Sequence, residues 1–157
     1  MYNNLNKQKF HNHGTDGNKM ERRRARELAL ELIFEYEFNP DIDPGVIYEN
    51  ALDCREFEDD GYIREVFYGI VDHKTEIDAK ISASAVGWSL SRMSKTSLSI
   101  MRLSVCEMLY MSDIPFSVSI NEAVELAKKY DHDKAPAFIN GVLNKIADTE
   151  GIKQSDG

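Results

Sequence analysis

The hydrophobic positions of this chain recur at helical spacing almost from end to end. Ala25, Leu28, Ala29, Leu32, Ile33 and Tyr36 fall three or four residues apart, one stripe of a 3.6-residue period, which predicts a helix starting at about residue 20. Asn39-Pro40 and Asp43-Pro44-Gly45 end it, because proline disfavours helical geometry in the residue before it. A shorter helix is predicted over 45–55. Ile63, Val66, Phe67, Ile70, Val71, Ile77 and Ile81 then predict a third, about twenty residues long, broken at Gly87-Trp88. Residues 95–112 are apolar on nearly every side, which belongs in the middle of a bundle.

Ile114-Pro115 stops that central helix. Ser119-Ile120-Asn121-Glu122 reads as a capping box for the next, with Ile120, Ala123, Val124 and Ala127 as its stripe. Asp133 reads as the cap of a last helix, with Pro136 in its first turn and Ile139, Val142, Leu143 and Ile146 pointing inward. No segment alternates with period two. The expected fold is an all-α domain of six or seven helices over residues 20–150. It follows a disordered basic leader, 1–19, and precedes a flexible tail, 151–157.

A chain of 157 residues suits one domain that buries roughly two-thirds of its unfolded surface. The longest apolar run, Met108 to Met111, is far below the roughly 20 residues of a membrane span, and the leader has no apolar signal core. Cys54 and Cys106 fit no metal spacing and read as reduced thiols, so a cytoplasmic protein without membrane contact is expected.

Charge changes the picture. The net charge of −8 argues against a nucleic-acid partner until it is divided along the chain. Residues 1–27 carry seven bases and three acids, whereas residues 28–157 carry 12 bases and 24 acids. The protein is an acidic body with a basic end, the pattern of an electrostatically specialised face.

Candidate chemistry is sparse. No phosphate-cradling glycine loop, zinc-binding HExxH or nucleophile elbow is present. Asp131-His132-Asp133 begins like a calcium loop but has Ala135 and Pro136 where an oxygen ligand and a glycine are needed. His11 and His13 lack further ligands, and Glu56, Glu58, Asp59 and Asp60 read as a solvated loop. Neither a catalytic site nor a metal or cofactor site is expected.

The run Arg22-Arg23-Arg24-Ala25-Arg26 is different. Clustered cations at a helix start repel one another and oppose the macrodipole, so a compensating partner is expected. Guanidinium forks grip phosphate and stack on bases. The competing reading is a solvated helix start paired with neighbouring acids. A long duplex would be repelled by the acidic body. A short single strand would not, and Phe34, Trp88 or Phe138 could stack its bases.

The last third carries a resemblance. Ser99-Ile100-Met101-Arg102-Leu103-Ser104-Val105-Cys106-Glu107-Met108 leads to Asp113-Ile114-Pro115 and then to Val118-Ser119-Ile120-Asn121-Glu122-Ala123-Val124-Glu125-Leu126-Ala127-Lys128. Phe138-Ile139-Asn140-Gly141-Val142-Leu143 closes the set. With the arginine run, these segments resemble the transcription antitermination factor NusB family over about residues 20–147.

The resemblance implies two packed helical subdomains and binding of boxA, a short single-stranded RNA in ribosomal-RNA leaders. It implies the ribosomal protein NusE as partner, with other Nus factors and RNA polymerase reached through the complex. It also implies RNA contacts at Arg22, Arg23, Arg24, Arg26 and Phe138, with Trp88 near that surface and Lys134 as an added cation. Arg102 and Glu107 on the apolar helix are costly to bury unpaired, so they are expected to pair with each other's neighbours or to cap backbone groups. Asn121, Asn140 and Gly141 read as scaffold, the glycine through close backbone packing.

A stand-alone recognition domain related to RNA cytosine methyltransferases is one alternative, and a purely protein-binding helical module is another. Monomer and homodimer are both compatible with the sequence.

Overall fold

A computed structural model describes residues 18–54 and 59–155, so the leader through residue 17, with His11 and His13, lies outside the described residues, as do Glu56, Glu58, Asp156 and Gly157. Six long helices follow in order: α1 (Asn18–Phe38), α2 (Pro44–Cys54), α3 (Gly61–Ser84), α4 (Lys95–Tyr110), α5 (Phe116–Tyr130) and α6 (Ala135–Thr149). A four-residue α7 (Ile152–Ser155) ends the described chain. No strand is present among the described residues. The all-α expectation holds.

Local chemistry explains most boundaries. α2 starts on Pro44, whose missing N–H costs nothing at a helix start. The Asp60 carboxylate accepts the N–H groups of Tyr62 (2.8 Å) and Ile63 (3.2 Å), capping α3. Asp59, expected in a solvated loop, accepts the Tyr48 hydroxyl at 2.6 Å and pairs with Arg64. Ser94 caps α4 through the Ser97 N–H. Gly87 has φ 84°, a left-handed turn that lets the chain leave α3.

α3 is longer than expected. It consists of two helical pieces bent at His73 (φ −116°, ψ 20°), where the imidazole stacks on the Tyr110 ring at 4.1 Å.

The helices share one apolar core from Ala25 to Ala147. α4 runs through it: every residue from Ser97 to Met108 is buried. Arg102 on this helix reaches Asp78 on α3 (2.7 and 2.9 Å) and Glu37 on α1 (2.5 Å), the pairing expected of a buried charge.

Three local expectations are corrected. α5 begins at Phe116, so Ser119 lies inside it rather than at a capping box. Its hydroxyl donates instead to the Ser104 carbonyl at 3.2 Å, joining α5 to α4. Lys134, not Asp133, occupies the position before α6, with no side-chain cap. Gly141 makes no close approach, whereas a Cβ on Gly69 would meet the Cys106 sulfur at 2.9 Å. Ile152, at the start of the tail segment, packs against the core.

Candidate nucleic-acid interface

The arginine run occupies the beginning of α1, where that helix meets the start of α3 and the middle of α5. Helical geometry divides it. Positions 25, 29, 32 and 33 face the core, so position 26, beside this stripe, is drawn inward while 23 and 24 turn outward.

Arg26 is 3% exposed, and its fork closes on the fully buried Glu107 carboxylate at 2.8 and 3.2 Å. Burial opposes the guanidinium's charge. The hydrogen bonds and charge of Glu107 more than offset it, so the pKa of Arg26 is raised. The structure thus places Arg26 apart from the three surface arginines: it anchors the helix, and it cannot present its fork to a phosphate without unpairing Glu107.

The other three arginines reach the surface, each held differently. The Arg22 guanidinium lies over the Tyr62 ring, 4.5 Å from its centroid. Arg23 donates from Nε to both Glu122 oxygens at 3.1 Å, its own side chain 47% exposed and that of Glu122 nearly covered. Arg24, the most exposed at 62%, pairs with Glu27 at 3.1 Å. Glu27 also accepts Lys129 at 2.6 Å, and the hydrogen bonds from Lys129 and then Arg24 hold its carboxyl below the usual range.

The surface therefore presents Arg22, Arg23, Arg24 and Lys129, with Glu122 and Glu27 set among them. Sequence reasoning offered Glu27 as a partner of the run, as found, but missed the parts played by Glu122, Lys129 and Tyr62. Glu122 and Lys129 sit seven residues apart on α5, two turns along one face, which is a detectable signal. Nothing in the sequence ties Tyr62 to position 22.

The predicted aromatics form a second patch, where the loop after α3 meets α6. Trp88 is 53% exposed, and its ring lies 5.8 Å from that of half-buried Phe138, tilted by 59°. The two rings border a groove of about 370 Å³ whose other walls include Val86, Gly141, Val142 and Lys145. Gly141 thus opens the groove floor instead of packing against backbone, since a Cβ there would meet nothing within 4 Å. Lys134 is exposed, one turn before Phe138.

Phe34 lies elsewhere, against Phe38 at 4.8 Å on α1. With Ile42 and Val46 these two phenylalanines make an exposed apolar line around the α1–α2 corner.

Among the described residues no cluster of His, Cys, Asp or Glu could hold a metal ion. No helix among them is long and apolar enough to cross a membrane. Cys54 and Cys106 are both free, and burial pushes the Cys106 thiol up to about 12, which makes it a poor nucleophile.

This combination of helices and residues matches a family model described as the NusB family over residues 23–148. The chain belongs to the NusB family. The transcription antitermination protein NusB of Bacillus pumilus (strain SAFR-032) is 46% identical over 127 residues, 81% of this chain and 95% of that protein. The Acetivibrio thermocellus NusB is 41% identical over 140 residues, covering 88% of this chain and 95% of its own.

Among solved structures, T. maritima NusB superposes with a TM-score of 0.73 at 36% identity, over 81% of this chain and 90% of that one. A structure of the antitermination factors NusB and NusE in complex with double-stranded RNA gives 0.74 at 24% identity. It covers 83% of this chain and 98% of the matched one, and supports the shared NusB fold.

Proposed function

We propose that this chain is a non-catalytic transcription antitermination factor that binds the single-stranded boxA element of ribosomal-RNA leaders together with NusE. Other Nus factors and RNA polymerase are engaged through that complex, in the cytoplasm. The observation that carries the reading is the surface set Arg22, Arg23 and Arg24 on an otherwise acidic NusB-family body. Its curated relatives are named as antitermination proteins.

Phosphates of a short strand replace the carboxylate partners of Arg23 and Arg24, and Lys129 adds a fourth cation. Bases that turn inward at the second patch stack on Trp88 and Phe138, with Lys134 and Lys145 beside them. The apolar line Phe34, Phe38, Ile42 and Val46 lies apart from both patches. It is an apolar surface of the kind that protein partners cover, which suits NusE.

The test is a titration of boxA and scrambled single-stranded RNA, with and without NusE, across a salt series. Three arginine–phosphate contacts give a log–log slope of about −2. Replacing Arg22, Arg23 and Arg24 together by glutamine, with Arg26 kept, abolishes selective binding and leaves helical circular dichroism unchanged. Equal weak binding of boxA and scrambled RNA, even with NusE, would move the assignment to a protein-binding module.

A further inference from the structure

Arg22 differs from its neighbours in what holds it. Arg23 and Arg24 each commit one nitrogen to a carboxylate, whose negative charge a phosphate must compete with. Among the described residues Arg22 is held by a ring. A guanidinium offers its face to an aromatic ring and its in-plane N–H groups to a phosphate, so the two contacts do not compete.

The ring itself is fixed from both sides. Tyr62 is 6% exposed, and its hydroxyl donates to Glu107 Oε2 at 2.5 Å. The same carboxylate accepts the Arg26 fork, and the Arg26 guanidinium lies 5.7 Å from the Tyr62 ring. The Tyr62 backbone N–H is held by the Asp60 cap at the first turn of α3. Arg22 and Arg26 are one helical turn apart on α1, so the ring bridges a buried arginine and a partly exposed one.

We infer that Tyr62 is a positioning residue for RNA. Its ring, locked by Glu107, holds the Arg22 guanidinium at the surface ready for a phosphate. This rests on the RNA-binding reading above and names a residue through which that reading acts. Donation to a carboxylate enriches the ring in electron density and strengthens its hold on the cation above it. Preorganisation lowers the entropy lost when a long, flexible side chain is immobilised on a strand.

The experiment measures boxA RNA affinity across a salt series for the wild type, Arg22→Gln, Tyr62→Phe, Tyr62→Leu and the double variant Tyr62→Leu/Arg22→Gln. Arg22 side-chain proton shifts are recorded by NMR in the same chains. Losing Arg22 lowers affinity about tenfold, the scale of one charge-assisted contact. Tyr62→Leu lowers it about three- to tenfold and makes the salt slope shallower by about 0.7, one phosphate on a single strand. The double variant binds no worse than Arg22→Gln, because both changes remove the same contact. Tyr62→Phe keeps a ring and stays within about twofold of wild type.

Ring-shifted Arg22 protons in the wild type and in Tyr62→Phe, lost in Tyr62→Leu, report the platform without RNA. They support the proposal even where Tyr62→Leu folds poorly. Additive losses with an unchanged salt slope, or wild-type Arg22 protons without a ring shift, overturn it. A wild-type chain that shows the ring shift but binds no RNA sinks the RNA reading instead, and the assigned use of the platform with it.

Discussion

Arg26 on α1 and Glu107 on α4 close a two-point ion pair in the middle of the bundle, 81 residues apart in the chain. Neither partner has water to fall back on. Replacing Arg26 by alanine strands a carboxylate in the core, and removing one member of such a pair costs about 3–5 kcal/mol. Urea denaturation of Arg26→Ala is expected to show that loss. The paired change Arg26→Met/Glu107→Leu is expected to recover much of it, since no charge is left without a partner. A single variant within about 1 kcal/mol of wild type would contradict the account.

On the proposed RNA reading, Glu122 competes with a phosphate for Arg23. In Glu122→Gln the charge is gone but the shape remains, and Arg23 is released toward solvent. A half-exposed pair is worth about 0.2–1 kcal/mol, so RNA affinity is expected to rise by up to about fivefold. Fluorescence anisotropy with labelled boxA RNA checks the sign. Weaker binding would mean that Glu122 orients Arg23 rather than withholding it.

Glu37 makes stability depend on acid. Burial alone would raise its carboxyl pKa, but hydrogen bonds from Lys95 and Arg102 and the charges of Arg102 and Lys74 bring it down to about 2. A group depressed in the folded state contributes fully above its unfolded value and loses that contribution as pH falls toward the folded one. The drop from 4.5 to about 2 corresponds to on the order of 3 kcal/mol. Thermal unfolding of the wild type is therefore expected to fall between pH 5 and 2 more steeply than that of Glu37→Gln. Parallel curves would remove Glu37 from the explanation.

Gly69 sets the spacing of α3 and α4. An alanine Cβ there would lie 2.9 Å from the Cys106 sulfur, closer than such atoms sit. Gly69→Ala is expected to destabilise the protein by about 1–3 kcal/mol through overpacking, despite alanine's better helix propensity. Adding Cys106→Ala opens the space, and the double variant is expected to regain most of the loss. Calorimetry on the three chains decides it.

The helices were legible because their apolar stripes repeat at 3.6 residues, and α4 because it is apolar on every side. What periodicity could not show is which way a charged residue beside a stripe will turn. Arg26 reads as one of four equivalent arginines until the position of Glu107 in three dimensions is known. Ser119-x-x-Glu122 has the spacing of a cap, but Phe116, Val118 and Ile120 allow the helix to begin a turn earlier, leaving the serine to face Ser104. Gly141 offers no sequence clue to whether it admits a neighbour or leaves an opening. The basic end was visible from charge segregation. Its remote partners Glu107 and Glu122 and the Tyr62 platform were not, because they come from α4, α5 and α3.

The bend in α3 has a bearing on length. Tyr62 supports the arginine patch from the first turn of this helix, and Ser84 and Ala85 line the Trp88–Phe138 groove at its far end. Twenty-two residues of straight helix measure about 33 Å, and the turn at His73 alters that straight-line distance. A strand that touches both patches is thereby gauged against a jointed ruler. On the proposed RNA reading, length alone would decide which strands reach both patches, before any base is read.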